Sequence, residues 1–308
     1  MKKTVLITGA YGFIGRYVAL EYAKKGFCVI GIGHSAWLKD EFKKWGITKF
    51  YNDDINIENL KNISLENSID IIIHCAGGSS VSLSFKYPEV DFKKTVNSTL
   101  SVLEFIRIYS NRTILIFLSS AAVYGETGLE NINEDTMLNP ISPYGFNKKI
   151  AEEICQMYSR VYSIKIIILR LFSIYGNELK KQLLWDACNK ISINKNIFFG
   201  TGNEIRDWMH IKDLTKYILY AGTCLNERFA IYNIGSGKGE SVNKILKILF
   251  NKFDVNEEPV FNNIIDIGNP VKYVANVDKI KRWNINRDIE IEKGIEDYVK
   301  WYKENGKY

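Results

Sequence analysis

The apolar residues of this chain fall in short blocks separated by polar and glycine-bearing breaks. Residues 5–7, 27–32, 69–74, 113–118 and 164–171 are mostly apolar runs of strand length, rich in isoleucine and valine, and 48–51 reads as a further short strand. Runs of this kind, without polar alternation, are the pattern of strands buried on both faces. Between them lie stretches with helical apolar spacing: from Phe13 to about residue 25, over 88–109, and from Pro143 onward. Alternation of strand and helix predicts an α/β fold, a doubly wound parallel sheet with helices on both sides. Beyond residue 171 the pattern changes to shorter, mixed elements, including a helix opening at 179–186 and amphipathic helices over 276–283 and 289–302. Two domains are therefore expected, 1–171 and a smaller lobe over 172–308, with some segments of the second returning to the first.

Two of the breaks carry chemistry. The first strand runs directly into Thr8-Gly9-Ala10-Tyr11-Gly12-Phe13-Ile14-Gly15-Arg16 and then into a helix. Glycines at this spacing permit a tight turn and close backbone approach, and the following helix N-terminus attracts a pyrophosphate, which is the layout of a dinucleotide site. The run 113–118 delivers Ser119 and Ser120 at its carboxyl end, where open parallel sheets bind ligands. Downstream, Ser142 and Pro143 mark a helix start, as N-cap and first helical residue. Tyr144 and Lys148 then lie one turn apart on a single helix face. A tyrosine titrates at about 10, and an adjacent ammonium favours its phenolate. Bringing it to about 7 takes roughly 4 kcal/mol, which a desolvated lysine and a cationic cofactor ring would supply.

With these elements in this order, the chain resembles the extended short-chain dehydrogenase/reductase family, the nucleotide-sugar epimerases, dehydratases and 4-ketoreductases. The resemblance covers essentially the whole chain: Thr8-Gly9-x-x-Gly12-x-x-Gly15, Asp54-Ile55, His74-Cys75-Ala76-Gly77, Asn97, Ser120, Tyr144-x-x-x-Lys148, Arg170 with Tyr175-Gly176, and Arg206-Asp207-x-x-His210-x-x-Asp213. It implies a Rossmann-type sheet with Ser120, Tyr144 and Lys148 as catalytic residues. It implies a cofactor held by Gly9, Tyr11, Gly12, Phe13, Ile14 and Gly15, and by Asp54 and Ile55 at the adenine. Cys75, Ala76, Gly77, Asn97, Ser119, Tyr144 and Lys148 would complete that site. Ser79, Ser80, Ser120, Ser173 and Arg206 are the substrate-binding candidates, Arg206 clamping the nucleotide-sugar diphosphate. The His74 position is structural in this family. Ser173 stands where many relatives carry an asparagine. A second family arginine is missing from the stretch Asp266-Ile267-Gly268-Asn269-Pro270, with Lys272 as a substitute. In relatives the 88–109 helix and the Tyr144 helix pack against their counterparts in a homodimer.

The cofactor reading turns on the end of the second strand, Gly31-Ile32-Gly33-His34-Ser35, which lacks the acid that holds an adenosine ribose in NAD-binding relatives. Gly33 leaves room for a 2′-phosphate, and His34, Ser35 and Arg16 are its candidate contacts. NADP(H) is therefore favoured, with NAD(H) possible. Of the family's reactions, dehydration needs an acid–base pair where this chain has Ala121-Ala122. An exchangeable NADPH favours a 4-ketoreductase acting on a dTDP-, GDP- or UDP-linked 4-keto-6-deoxy hexose. The alternatives are an NAD-dependent 4-epimerase and a non-catalytic NADP(H)-binding regulator.

Composition narrows the rest. Charged residues at 25% and apolar residues at 46% are those of an ordinary water-soluble globular protein. No apolar run reaches membrane-spanning length, and the Met-Lys-Lys start leads straight into the first strand, so neither membrane nor signal peptide is expected. Five scattered cysteines lack metal or paired spacing, which suits reduced thiols in the cytoplasm. The net charge of +6 suits anionic nucleotides, but no basic run or repeat argues for nucleic acid, and no metal site is expected.

Overall fold

The computed structural model describes residues 2–264, 268 and 270–306. In chain order the first strands are β1 (Thr4–Thr8), β2 (Cys28–Ile32), β3 (Lys49–Tyr51), β4 (Ile71–His74), β5 (Ile114–Ser120) and β6 (Ile166–Leu171). They are followed by β7 (Ser173–Tyr175), β8 (Ile197–Phe198), β9 (Ile205–His210) and β10 (Phe229–Ile234). The last are β11 (Gly239–Ser241), β12 (Val260–Phe261) and β13 (Lys272–Tyr273). A seven-stranded sheet runs β3-β2-β1-β4-β5-β6-β10. From β3 to β6 neighbouring strands pair in parallel, for example Val5 opposite Val29 on one side and Ile71 on the other. The strand order reverses between β1 and β4, and at such a switch point the carboxyl ends of the strands open a crevice.

The sheet is buried because it is covered by helices. These are α1 (Phe13–Lys24), α2 (Ile57–Glu66), α3 (Val81–Lys86), α4 (Pro88–Phe92), α5 (Ser98–Tyr109) and α6 (Pro143–Tyr162). Leu6, Ile30, Ile72, Leu115, Phe117, Ile166 and Ile168 pack with Leu60, Ile63, Val102, Phe105, Ile106, Ala151 and Cys155 in one fully buried core. Alternate residues on each strand, and residues at helical spacing on α2, α5 and α6, thus meet as their periodicities require. The remaining helices are α7 (Gln182–Ile191), α8 (Ile211–Thr223), α9 (Val242–Lys252), α10 (Asp278–Lys281) and α11 (Ile291–Asn305).

The chain divides into two compact units. One comprises Met1–Gly125, Met137–Leu171 and Thr215–Tyr232; the other comprises Glu126–Thr136, Phe172–Leu214 and Asn233–Tyr308. In the second, β9 is flanked by β11, β13 and β7. Three sequence expectations change. The helix expected over 88–109 is interrupted by a π-helical turn, Lys93–Asn97. The helix expected from 179 starts only at Gln182, whose φ of 66° terminates the preceding turn. The helix expected over 276–283 is a single turn, α10, because Asn276 spends its side chain on Asp278 rather than continuing the backbone ladder.

Candidate active site

β1 hands the chain to the glycine turn. Gly9, at φ 66°, donates its N–H to the Ile32 carbonyl at 2.8 Å, and Gly12 donates to Gly9 at 2.9 Å. A Cβ on Gly15 would lie 2.4 Å from the Gly9 carbonyl oxygen, so only glycine lets α1 start this close to the strand. No side chain caps α1 at Gly12, and no acid occupies its first turn. The leading N–H groups and helix dipole are therefore presented to an anion. Tyr11, Phe13 and Ile14 are partly exposed around this turn. The cradle fits a pyrophosphate.

Beside it, β4 ends in His74. The Thr8 hydroxyl meets His74 Nδ1 at 2.7 Å, and Thr99 and Ser98 lie 3.2 and 3.3 Å from Nε2. Thr99 and Ser98 donate their own protons to the Thr95 and Lys94 carbonyls, so both accept from an Nε2–H, and Thr8 donates to Nδ1. Burial pushes the imidazole down to about 3 and holds it neutral. His74 is structural, fastening β1 and β4 to α5. Cys75 is likewise a neutral thiol, raised to about 12 by burial.

At the end of β5, Ser120 caps the turn that follows, accepting from the Ala122 N–H at 3.2 Å, and its hydroxyl lies near the Tyr144 phenol. Ser142 accepts from Gly145 N–H at 3.1 Å and fixes the start of α6. Lys148 is almost completely buried; its Nζ donates to the Leu118 carbonyl at 2.8 Å and lies 5.0 Å from the Phe117 ring centre. A Cβ on Gly77 would come within 3.3 Å of that Nζ, so the loop after β4 passes directly over the lysine. Burial lowers Lys148 to about 8, with Asp91 the foremost group opposing the fall. Tyr144 is pushed up, first by burial; the Ser120 hydrogen bond opposes this and Asp91 adds to it. The expected lowering of the phenol by its lysine is thus not what the protein alone produces, because the ammonium turns to Leu118.

Several anticipated residues are placed elsewhere. Asn97 is exposed, while Thr95, two residues earlier in the π turn, is buried and accepts from the Gly78 N–H at 2.9 Å. The Ser119 hydroxyl is buried and donates to Glu152 at 2.5 Å, which ties β5 to α6. Arg170 completes that tie, donating to Glu152 at 2.7 and 3.0 Å and to the Tyr124 hydroxyl at 2.8 Å. Ser80 caps α3 through Leu83 N–H, and Ser79 is exposed. At the adenosine end, His34 pairs with Asp54 at 2.8 Å and Ser35 donates its N–H to Asn52. Ile55 packs against the core. Arg16 folds back to donate to the Tyr11 carbonyl at 2.6 and 3.1 Å, among the rings of Tyr11, Trp37 and Trp45. The contacts expected for a 2′-phosphate are engaged within the protein.

Three residues of the neighbourhood were missed by the sequence reading. Ser84 accepts from the Tyr144 backbone N–H at 3.1 Å, holding the first turn of α6. Asp91 accepts from Asn147 at 2.7 Å beside the tyrosine and lysine. Asn147 itself stood in plain view inside Tyr144-x-x-x-Lys148, and a polar residue on the buried side of that helix was the available signal.

In the second unit, Arg206 on β9 donates to the Ile205 and Val271 carbonyls at 2.9 and 3.2 Å and lies over the Tyr273 ring. Its neighbour Asp207 is fully buried and accepts from Ser236, Gly237 and Ala275, so it organises the loop beyond β10. Ser173 is half-buried on β7, opposite Trp208. Lys272 is ion-paired with Glu130, which leaves it engaged where a diphosphate contact was expected. The stretch expected to carry the missing arginine lies largely outside the described residues. Among those described, no group of histidine, cysteine or acidic side chains could hold a metal ion.

Residues 5–235 match the model of the NAD dependent epimerase/dehydratase family. The UDP-glucuronate 4-epimerase of Thermodesulfobacterium geofontis is 30% identical over 316 residues, covering 97% of this chain and 96% of that protein. Among solved structures, the UDP-glucose 4-epimerase of Thermotoga maritima with UDP-glucose superposes with a TM-score of 0.89 at 25% identity, covering 98% of this chain and 99% of that one. The UDP-glucuronic acid 4-epimerase of Bacillus cereus, a tyrosine-to-phenylalanine mutant bound to NAD and a fluorinated UDP-sugar, gives 0.88 at 25% identity, with the same coverage.

Proposed function

The chain belongs to the NAD dependent epimerase/dehydratase family, and from that premise we propose that it is a UDP-sugar 4-epimerase that retains NAD. The observation that carries the reading is Tyr144 and Lys148 one turn apart on α6, with Ser120 at the end of β5 beside the phenol, in the same unit as an uncapped glycine turn. The relatives favour the epimerase over the 4-ketoreductase that an exchangeable NADPH had suggested. Physical chemistry agrees. Asp54 stands against His34, just past the end of β2, and a carboxylate there repels a 2′-phosphate. Ala121 and Ala122 provide no acid–base pair for dehydration.

Gly9, Gly12, Gly15 and the first turn of α1 would hold the pyrophosphate, Asp54 and Ile55 the adenosine, and Gly77 and Lys148 the nicotinamide end. When bound, NAD supplies the oxidant that takes hydride from C4 of the sugar and gives it back. Ser120 orients the C4 hydroxyl and Tyr144 takes its proton, leaving a ketone. Reprotonation by Tyr144, after the sugar presents its other face, yields the inverted alcohol. Lys148, one helical turn away, would supply the positive charge that lowers the cost of the phenolate once the cofactor is in place. Arg206 would grip the UDP diphosphate. The protein works in the cytoplasm, where UDP-sugars are found, and forms a homodimer through α5 and α6; among described residues, no helix is long and apolar enough to cross a membrane.

The test is direct. Purified protein incubated with UDP-glucose or UDP-glucuronic acid, without added cofactor, should produce the C4 epimer and release NAD on denaturation. Tyr144→Phe should lose this activity by orders of magnitude while retaining NAD. A requirement for stoichiometric NADPH and a 4-keto sugar would restore the reductase instead.

A further inference from the structure

Asp91 lies at the end of α4, is buried, and sits on the edge of the catalytic site. Its Oδ2 accepts from the Asn147 amide at 2.7 Å, between the catalytic tyrosine and lysine in sequence. Its Oδ1 is pressed against the loop after β4: a Cβ on Gly78 would lie 1.8 Å away, so only glycine fits there. Gly78 is held in turn by Thr95 from the π turn. The carboxylate is therefore held by α6 and packed against the loop after β4.

We propose that Asp91 is a positioning residue of the Ser120–Tyr144–Lys148 site, its buried carboxylate acting as the counter-charge that keeps the desolvated Lys148 ammonium protonated and in place. The proposal rests on the reading that Tyr144 and Lys148 carry the proton transfer. The groups facing Lys148 leave this task to Asp91. Glu152, on α6, is already neutralised by the Arg170 guanidinium. Cys75 and Cys155 are thiols that burial keeps protonated, and His74 is neutral. Asp91 accepts instead from an uncharged amide, so its charge stays available to the lysine. Facing Tyr144 are the Ser120 hydroxyl and the same Asp91, which opposes the phenolate. Burial first, and the carboxylate after it, hold the tyrosine protonated in the resting protein, so that the phenolate forms when a positive ring is brought beside it.

Asp91→Asn isolates the charge. The asparagine has the same shape and still accepts from Asn147, so a purely structural role would survive. With lysines carrying a carbon-13 label at Cε and the Lys148 signal assigned by its loss in Lys148→Met, nuclear magnetic resonance follows the titration of Lys148 in the protein without substrate. Removing the counter-charge should move that titration down by roughly one pH unit or more, with the thermal midpoint little changed. The alkaline limb of the epimerase rate profile should move down with it. Identical Lys148 titrations in the two proteins overturn the proposal. If Asp91→Asn does not fold, Gly78→Ala displaces the same carboxylate and must move Lys148 in the same direction; no movement there also overturns it. A shifted titration in a protein that epimerises no UDP-sugar supports the electrostatic role and refutes the functional reading instead.

Discussion

His74 shows how a residue inside a family motif is spent on the fold. Both ring nitrogens are committed, to Thr8 on one side and to Ser98 and Thr99 on the other, and the imidazole is held neutral down to about 3. An unfolded histidine takes its proton near 6.5. Between those values the unfolded chain binds a proton that the folded one does not, so stability falls as pH falls through that window. From pH 7 to pH 5 this residue should cost the wild type about 2 kcal/mol, at 1.4 kcal/mol per pH unit below 6.5. Urea unfolding of His74→Gln at the two pH values should lack that increment. A variant with the same acid sensitivity as wild type would assign the loss to other groups.

Among the elements, α1 and α6 are placed by different devices. α1 is placed by the absence of side chains, since Gly15 lies against the Gly9 carbonyl. Gly15→Ala should push the helix off the turn and weaken NAD binding at least tenfold, about 1.4 kcal/mol, as read by calorimetric titration of the cofactor-stripped protein. Unchanged affinity would show that the helix can give way without disturbing the phosphate cradle. α6 is placed by hydroxyls, with Ser142 on Gly145 N–H and Ser84, from α3, on Tyr144 N–H. The α4–α5 segment is placed by its π turn. An inserted residue changes which side chains face inward, and such turns recur at functional sites.

At the scale of the whole molecule, an apolar stripe is left uncovered. Phe146, Met157 and Val161 on α6 are all exposed, as are Leu100 and Ile108 on α5. Their spacing of four and eight, or of eleven and fifteen, places each set on one helix face. Large exposed apolar surface of this kind marks an interface, and the homodimer proposed above would cover it. The wild type should then sediment as a dimer, and Phe146→Glu with Val161→Glu as a monomer that is still folded. A wild type that is monomeric at micromolar concentration would rule this face out.

The chain's own order of residues determined the doubly wound sheet, the glycine turn and the Ser120–Tyr144–Lys148 trio. All of these rest on short-range rules: apolar runs of strand length, a helix start marked by Ser142 and Pro143, and two residues one turn apart. The tertiary structure alone decided which polar groups near the site remain available. Asp91 meets Asn147 across 56 residues, and Ser84 meets Tyr144 across 60. Arg16 and His34, read as phosphate contacts, are taken by Tyr11 and Asp54. Asn97 turns outward and Thr95 inward because a π turn breaks the regular helical period on which a sequence reading depends. Local periodicity is encoded residue by residue, whereas a buried charge is set by which neighbour reaches it first, and that is a property of packing.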